Sequence, residues 1–209
     1  MDLISLFNLN TFIELLLGIS LSAAAGFRVF VPLLALSVAS VFGHFDLPTD
    51  FDWLETPQAV IVFAVACLLE ITGYYIPWLD HLLDIVATPA AFITGTIVTA
   101  SVAPEMNPLV QWTLALVAGG GTAGLTKGLM NTLRISSTGV SGGLTNPIVS
   151  TIELVMAIGL SLLALVFPVL AGVTVIGFLI IAIQKIWNFF LNKPSSQSNE
   201  TVSPSRELG

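Results

Sequence analysis

The sequence predicts an all-α fold, a polytopic transmembrane helix bundle of about six membrane segments. Three observations carry that reading. Of 209 residues, 55% are apolar and only 9% are charged. Mean hydropathy is strongly positive, beyond what one globular core of this size needs to bury. Apolar runs close to the ~20 residues that cross a ~30 Å hydrocarbon core recur along the chain. The balance of six Lys/Arg against thirteen Asp/Glu argues against nucleic acid as a partner. The single cysteine, Cys67, lies inside an apolar run and leaves no disulfide framework.

The first segment, 11 to 43, is too long for one straight crossing, because its residues would span ~50 Å at ~1.5 Å each. The small-residue stretch Ser22 to Gly26 is the expected bend, with Pro32 following. On this expectation residues 4 to 22 lie along or re-enter the cytoplasmic interface and 26 to 43 cross, leaving Arg28 within about one turn of it. The start "MDLISLFNLN" has no positive region, so Ala23-Ala24-Ala25 is not expected to be a signal cleavage site. The remaining segments are 59 to 76, 82 to 103, 109 to 133, 147 to 166 and 169 to 191. They are punctuated by "GHFDLPTDFDWLETPQ", "IPW", "APEMNP", "STGVSGGLTNP" and Phe167-Pro168, with Asn146-Pro147 reading as a helix start. Residues 1–193 thus form one membrane domain, and the polar, Ser/Pro-rich stretch 194–209 is expected to be a disordered tail.

The loop at 43 to 58 carries four acids and no Lys or Arg, whereas Arg134, Lys193 and Arg206 flank the later loop and the C-terminal end. With an even number of crossings this predicts both termini on the cytoplasmic side of a bacterial inner membrane.

Four ionisable residues stand within the apolar segments: Arg28, Glu70, Lys127 and Glu153. Glu14, Asp84 and Lys185 are assigned nearer segment ends. Counting from the segment boundaries puts Glu70, Lys127 and Glu153 each ~9 Å inside the cytoplasmic boundary, so two acids and two bases converge there. Ion pairs that clamp the bundle would remove much of the cost of burying them. A polar cavity would instead let Arg28 and Lys127 meet an anion, or Glu70 and Glu153 exchange a proton or hold a cation.

Segment four adds Gly120, Gly124 and Gly128 at four-residue spacing, a smooth face for helix packing, next to a polar stripe of Lys127, Asn131 and Arg134. Arg134, at the expected helix end, reads as snorkelling to the interface. The following "SSTGVSGGLTN" has donors for a phosphate but matches no P-loop spacing. Asp80 and Asp84, one turn apart, are weak metal candidates and better explained as acids near a helix start. His44 and His81 are the only histidines and complete no nucleophilic set, and no cofactor is expected. "AGFR" in segment one and "AGLTK" in segment four, with one glutamate each in segments two and five, outline a three-plus-three inverted repeat.

"LSAAAGFRVFVPLLAL", "FDWLETPQ", "LLEITGYYIPWLDHLLD" and "GGGTAGLTKGLMNTLRISSTGVSGGLTNPIVSTIEL" resemble the prokaryotic membrane family catalogued as domain of unknown function 4126, from about Leu17 into segment five. The resemblance implies a small multi-pass bacterial membrane protein and supplies no activity. Its members often carry an Asp-Lys pair before the proline of "IPWLD", where this chain has Tyr74-Tyr75.

The sequence thus points to a small transporter or channel-like carrier for an anionic solute or lipid head group. Arg28 and Lys127 would hold the anion, Glu70 and Glu153 would orient them or couple a proton, and Gly26, Gly120, Gly124 and Gly128 would permit packing or bending. Membrane lipid is the expected surrounding partner, and an oligomer is compatible with this. The alternatives are a scaffold or assembly protein with purely structural ion pairs and, last, an intramembrane lipid-phosphate enzyme using Asp80 and Asp84.

Overall fold

A computed structural model describes residues 9–43, 45–103, 106–141 and 146–191. All regular structure among them is helical: α1 (Leu9–Phe27), α2 (Phe30–Val41), α3 (Pro57–Gly73), α4 (Pro77–Val102), α5 (Pro108–Leu114), α6 (Gly121–Ser141), α7 (Asn146–Val166) and α8 (Pro168–Leu191). A 3₁₀ turn, Thr49–Glu55, precedes α3, and a π-helical stretch, Ala115–Gly120, joins α5 to α6 without a break. Prolines open α3, α4 and α5 at their first turns, where the missing N–H costs nothing, and the Thr56 hydroxyl accepts from Ala59 N–H as an N-cap. By length and composition four of the described helices can cross a membrane, or five if the 3₁₀ turn and α3, bent by 64°, are one span. Each of the six expected segments contains helix; the expected tail at 194–209 lies outside the described residues.

The first segment corrects one expectation. Rather than lying at an interface, α1 is the central helix: it packs against α4, α6, α7 and α8, and Leu16, Leu17, Leu21 and Ala23 to Phe27 are all buried. The helix breaks at Arg28 and Val29, just past the small residues, and α2 doubles back: Glu14 and Leu17 line the same cavity as residues 45–48, which follow α2. The bundle therefore has an Arg28 end and a Glu14 end. α1 runs from the Glu14 end to the Arg28 end, α2 returns, and the later helices continue in alternation, with α5, the π stretch and α6 acting as one helix.

The parallel run of α1 and α8 follows from two contacts: a Cβ on Gly172 would meet Leu16, while Ala23 packs with Val175 and Leu179 further along α8. Leu9 and Leu191 consequently lie toward opposite ends of the bundle. The segments equated by an inverted repeat are also built differently, one as a broken hairpin and one as a continuous helix with a π stretch.

Close packing is set by small residues at contacts the sequence reading only partly located. A Cβ at Gly26 would lie 2.5 Å from Thr126 Cβ, and one at Gly119 would overlap Thr99 Oγ1 and the Gly95 carbonyl oxygen. Gly120 is similarly tight against Thr96. Gly124 has only ordinary contact with Phe92 and Gly128 faces open space, so the expected four-residue glycine face is used at Gly120 alone. Between α1 and α4 the Ser22 hydroxyl donates to the Gly95 carbonyl at 2.7 Å.

Candidate functional site: a buried charge cluster

The break between α1 and α2 leaves the start of α2 in the protein interior, and the sequence supplies its cap. The first N–H groups of α2 have no intrahelical acceptor. Val29 N–H donates to Glu70 Oε1 at 2.9 Å and Phe30 N–H to Glu70 Oε2 at 3.2 Å, while Pro32, in the first turn of α2, has no N–H to satisfy. Glu70 thus caps α2 from α3, and the carboxylate sits at the positive end of that helix. It makes no ion pair within 4.0 Å among the described residues, which separates it from the acid–base set in which the sequence placed it.

Arg28 occupies the tip of the hairpin and is 1% exposed. Its Nη2 donates to the Ser150 carbonyl at 2.8 Å and lies 3.9 Å from Glu153 Oε2. Its guanidinium stacks 4.0 Å from the centroid of the Tyr74 ring, on which Arg134 also lies, at 4.8 Å. The Tyr74 hydroxyl accepts from Lys127 Nζ at 3.2 Å and donates to Asp84 Oδ1 at 3.1 Å. One buried phenol therefore touches three cations.

Lys127 also pairs with Asp84 at 3.0 Å. Arg134 bonds Asp80 and Glu153 and lies 3.5 Å from Asp84, and its Nη2 donates to Ser150 Oγ at 3.3 Å. Asn146 at the start of α7 donates to Asp80 Oδ2 at 2.9 Å. Asn131 of the polar stripe reaches sideways to Thr88 Oγ1 at 3.1 Å instead.

The structure therefore brings Arg28, Lys127, Glu153 and Arg134 together, holds Glu70 beside them on a separate task, and adds Asp80, Asp84 and Tyr74. Arg134 does not snorkel: α6 continues to Ser141, which leaves Arg134 inside the helix and buried. That continuation also absorbs the first half of the expected anion-binding loop, and 142 to 145 lie outside the described residues. Asp80 and Asp84 face cations rather than a shared metal position. Both were legible as partners: acids at i and i+4 near the start of α4 match a Lys-x₆-Arg stripe late in the antiparallel α6.

Charge matching decides what such a cluster can accept. Asp80, Asp84 and Glu153 balance Lys127, Arg134 and Arg28, with Glu70 spent on the α2 terminus. Hydrogen bonding is not balanced to the same degree. At the hairpin tip Nε and Nη1 of Arg28 and Oε1 of Glu153 are buried without a hydrogen-bond partner among the described residues, and elsewhere in the cluster so is Arg134 Nε, which lies 3.5 Å from Asp84 Oδ2. Two donors and one acceptor are thus unmet at the hairpin tip, where each unmet group costs about 1–3 kcal/mol.

No curated protein and no solved structure matches this chain. A match over residues 15–188, which takes in α2 to α7, about two thirds of α1 and nearly all of α8, shows that the chain belongs to the family described as domain of unknown function (DUF4126).

Proposed function

We propose that this protein is an integral membrane carrier whose hairpin tip receives a small oxyanion, free or as a lipid head group. The observation that carries the reading is Arg28, buried at a helix break with two guanidinium nitrogens lacking an acceptor. Broken helices that present their ends to a buried site are a recurrent way for carriers to hold a substrate. Because acids and bases in the cluster already cancel, every negative charge brought in is uncompensated, and a dianion would bring in twice that of a monoanion. A monoanion that keeps one O–H suits the unmet groups: its oxygens accept from Arg28 and its O–H donates to Glu153 Oε1. Lys127, engaged by Asp84 and Tyr74, supports the site rather than binding the anion.

The Arg28 end is assigned to the cytoplasm of a bacterial inner membrane. Lys185 on α8 lies toward that end and Lys193 and Arg206 follow it in sequence, while the Glu14 end holds Asp46, Asp50, Asp52 and Glu55 with no Lys or Arg among its described residues.

The scaffold reading has its own supporting observation, the pairwise matching of three cations with three carboxylates. Native mass spectrometry of the gently solubilised chain with inorganic phosphate separates the two. Arg28→Met leaves Glu153 paired with Arg134 and is expected to fold. For a carrier, wild type retains the oxyanion and Arg28→Met loses it at an unchanged melting temperature. A wild type that retains nothing, beside an Arg28→Met protein that melts early, refutes the carrier and leaves a clamp.

A further inference from the structure

Over α1, between α6, α7 and α8, lies a groove of about 360 Å³. Its floor is Ala23 and Phe27 of α1, and its walls include Met156, Leu160, Val175 and Phe178. The size is within the ~300–1,000 Å³ of sites that take small organic ligands. Two polar side chains line it, Thr126 and Thr174, and both are spent: Thr126 donates to the Thr122 carbonyl at 2.9 Å and Thr174 to the Leu170 carbonyl at 2.7 Å. A ligand in the groove would find no free side-chain hydroxyl as a donor, so its buried part must be hydrocarbon.

The chemistry changes two turns along the same face. Lys185 stands seven residues after Phe178, hence on the same side of α8 and ~10 Å nearer the Arg28 end. It is exposed and is the one charged residue in Pro168–Leu191. A cation above an apolar slot matches an amphiphile with a negative head and an extended tail. Gly159 adds a structural reason for the slot: nothing lies within 4 Å of where its Cβ would be, so the glycine leaves volume unfilled.

We infer that this groove binds one acyl chain of an anionic phospholipid from the leaflet at the Arg28 end, with its phosphate on Lys185. The inference is independent of the oxyanion reading at Arg28, since the two sites use different residues. It commits to lipid over a second copy of the chain because a homodimer face would need something to neutralise Lys185, and α8 offers no acid.

The test is native mass spectrometry of the full chain in mild detergent, titrated separately with phosphatidylglycerol and with phosphatidylcholine of the same acyl chains. Wild type should bind one phosphatidylglycerol about fivefold more tightly than phosphatidylcholine, the preference expected of one basic residue at an anionic surface. Lys185→Gln should abolish that preference without changing lipid-free melting. Gly159→Leu should lower the binding of both lipids by filling the slot. Lipid binding equal in wild type and both variants overturns the inference. So does a wild-type dimer that Gly159→Leu dissociates, which would give the groove to a second copy. The exposed Lys185 variant keeps the test decisive if Gly159→Leu folds poorly.

Discussion

Tyr74 is the residue on which the cluster turns, because its ring lies against Arg28 and Arg134 while its hydroxyl bonds Lys127 and Asp84. Tyr74→Phe keeps the platform for Arg28 and Arg134 and removes the hydroxyl between Lys127 and Asp84, which still bond each other directly. We expect a cost of about 1–3 kcal/mol, since two hydrogen bonds are lost at a usual net worth of ~0.5–1.5 kcal/mol each. Tyr74→Leu also removes a desolvated cation–π surface and should cost ~2 kcal/mol more. Titration of both variants with sodium dodecyl sulfate in mixed micelles measures the difference; equal losses would show that the ring contributes nothing. Glu70 makes the opposite case, an ionisable residue whose task is local. Glu70→Ala strands two buried N–H groups at ~1–3 kcal/mol each, whereas Glu70→Gln keeps one acceptor and should lose about half as much in the same titration. Arg28, Lys127 and Glu153 were legible in the sequence because a charge in an apolar run must be accounted for. Tyr74 was not, since an aromatic near a segment end ordinarily reads as an interfacial anchor. Glu70 was found but misassigned, because no periodicity reveals that a helix elsewhere will break and need a cap.

At the scale of elements, the small residues divide into those that set a distance between helices and those that do not. Gly119 and Gly95 bring the π stretch and α4 together closely enough that any side chain at Gly119 meets backbone. Gly119→Ala should therefore destabilise by about 1–3 kcal/mol or more, as overpacking does. Gly128→Ala should be neutral or stabilise by up to ~1 kcal/mol, since the position is open and alanine favours helix. Melting both variants in detergent checks the pair, and a Gly128→Ala protein that melts as early as Gly119→Ala would contradict the division. The six apolar runs were readable because membrane spans are long and end at Pro, Gly and Asn. Two features were not. A π stretch leaves no signature in hydropathy, and the glycine spacing that appears regular at 120, 124 and 128 is used at Gly119 and Gly120 instead. The excess length of the first run did announce a break, and the small residues before it were correctly located but wrongly interpreted: they admit neighbouring helices to α1, and the break follows at Arg28.

For the whole molecule, the central position of α1 has a consequence for topology. A helix buried by α4, α6, α7 and α8 and running parallel to α8 puts the described start and end of the chain on opposite faces of the bundle. With the Arg28 end in the cytoplasm, Leu9 lies outside, together with the acidic turn at Thr49–Glu55. This can be read in intact cells. In a Cys67→Ser background, single cysteines at Leu9, Asp52 and Asn188 are exposed to a membrane-impermeant maleimide. Leu9→Cys and Asp52→Cys should label without permeabilisation, and Asn188→Cys only after it. Labelling of Leu9→Cys and Asn188→Cys together, both before or both after permeabilisation, would restore the even number of crossings and mean that α1 fails to span. Reversal of all three would keep the fold and invert its orientation, moving the charge cluster to the outer face. The expected pattern follows from where the described chain keeps its cations: Arg28, Lys127, Arg134 and Lys185 all lie toward one end of the bundle, and in the proposed orientation that end is the cytoplasmic one because cations resist translocation.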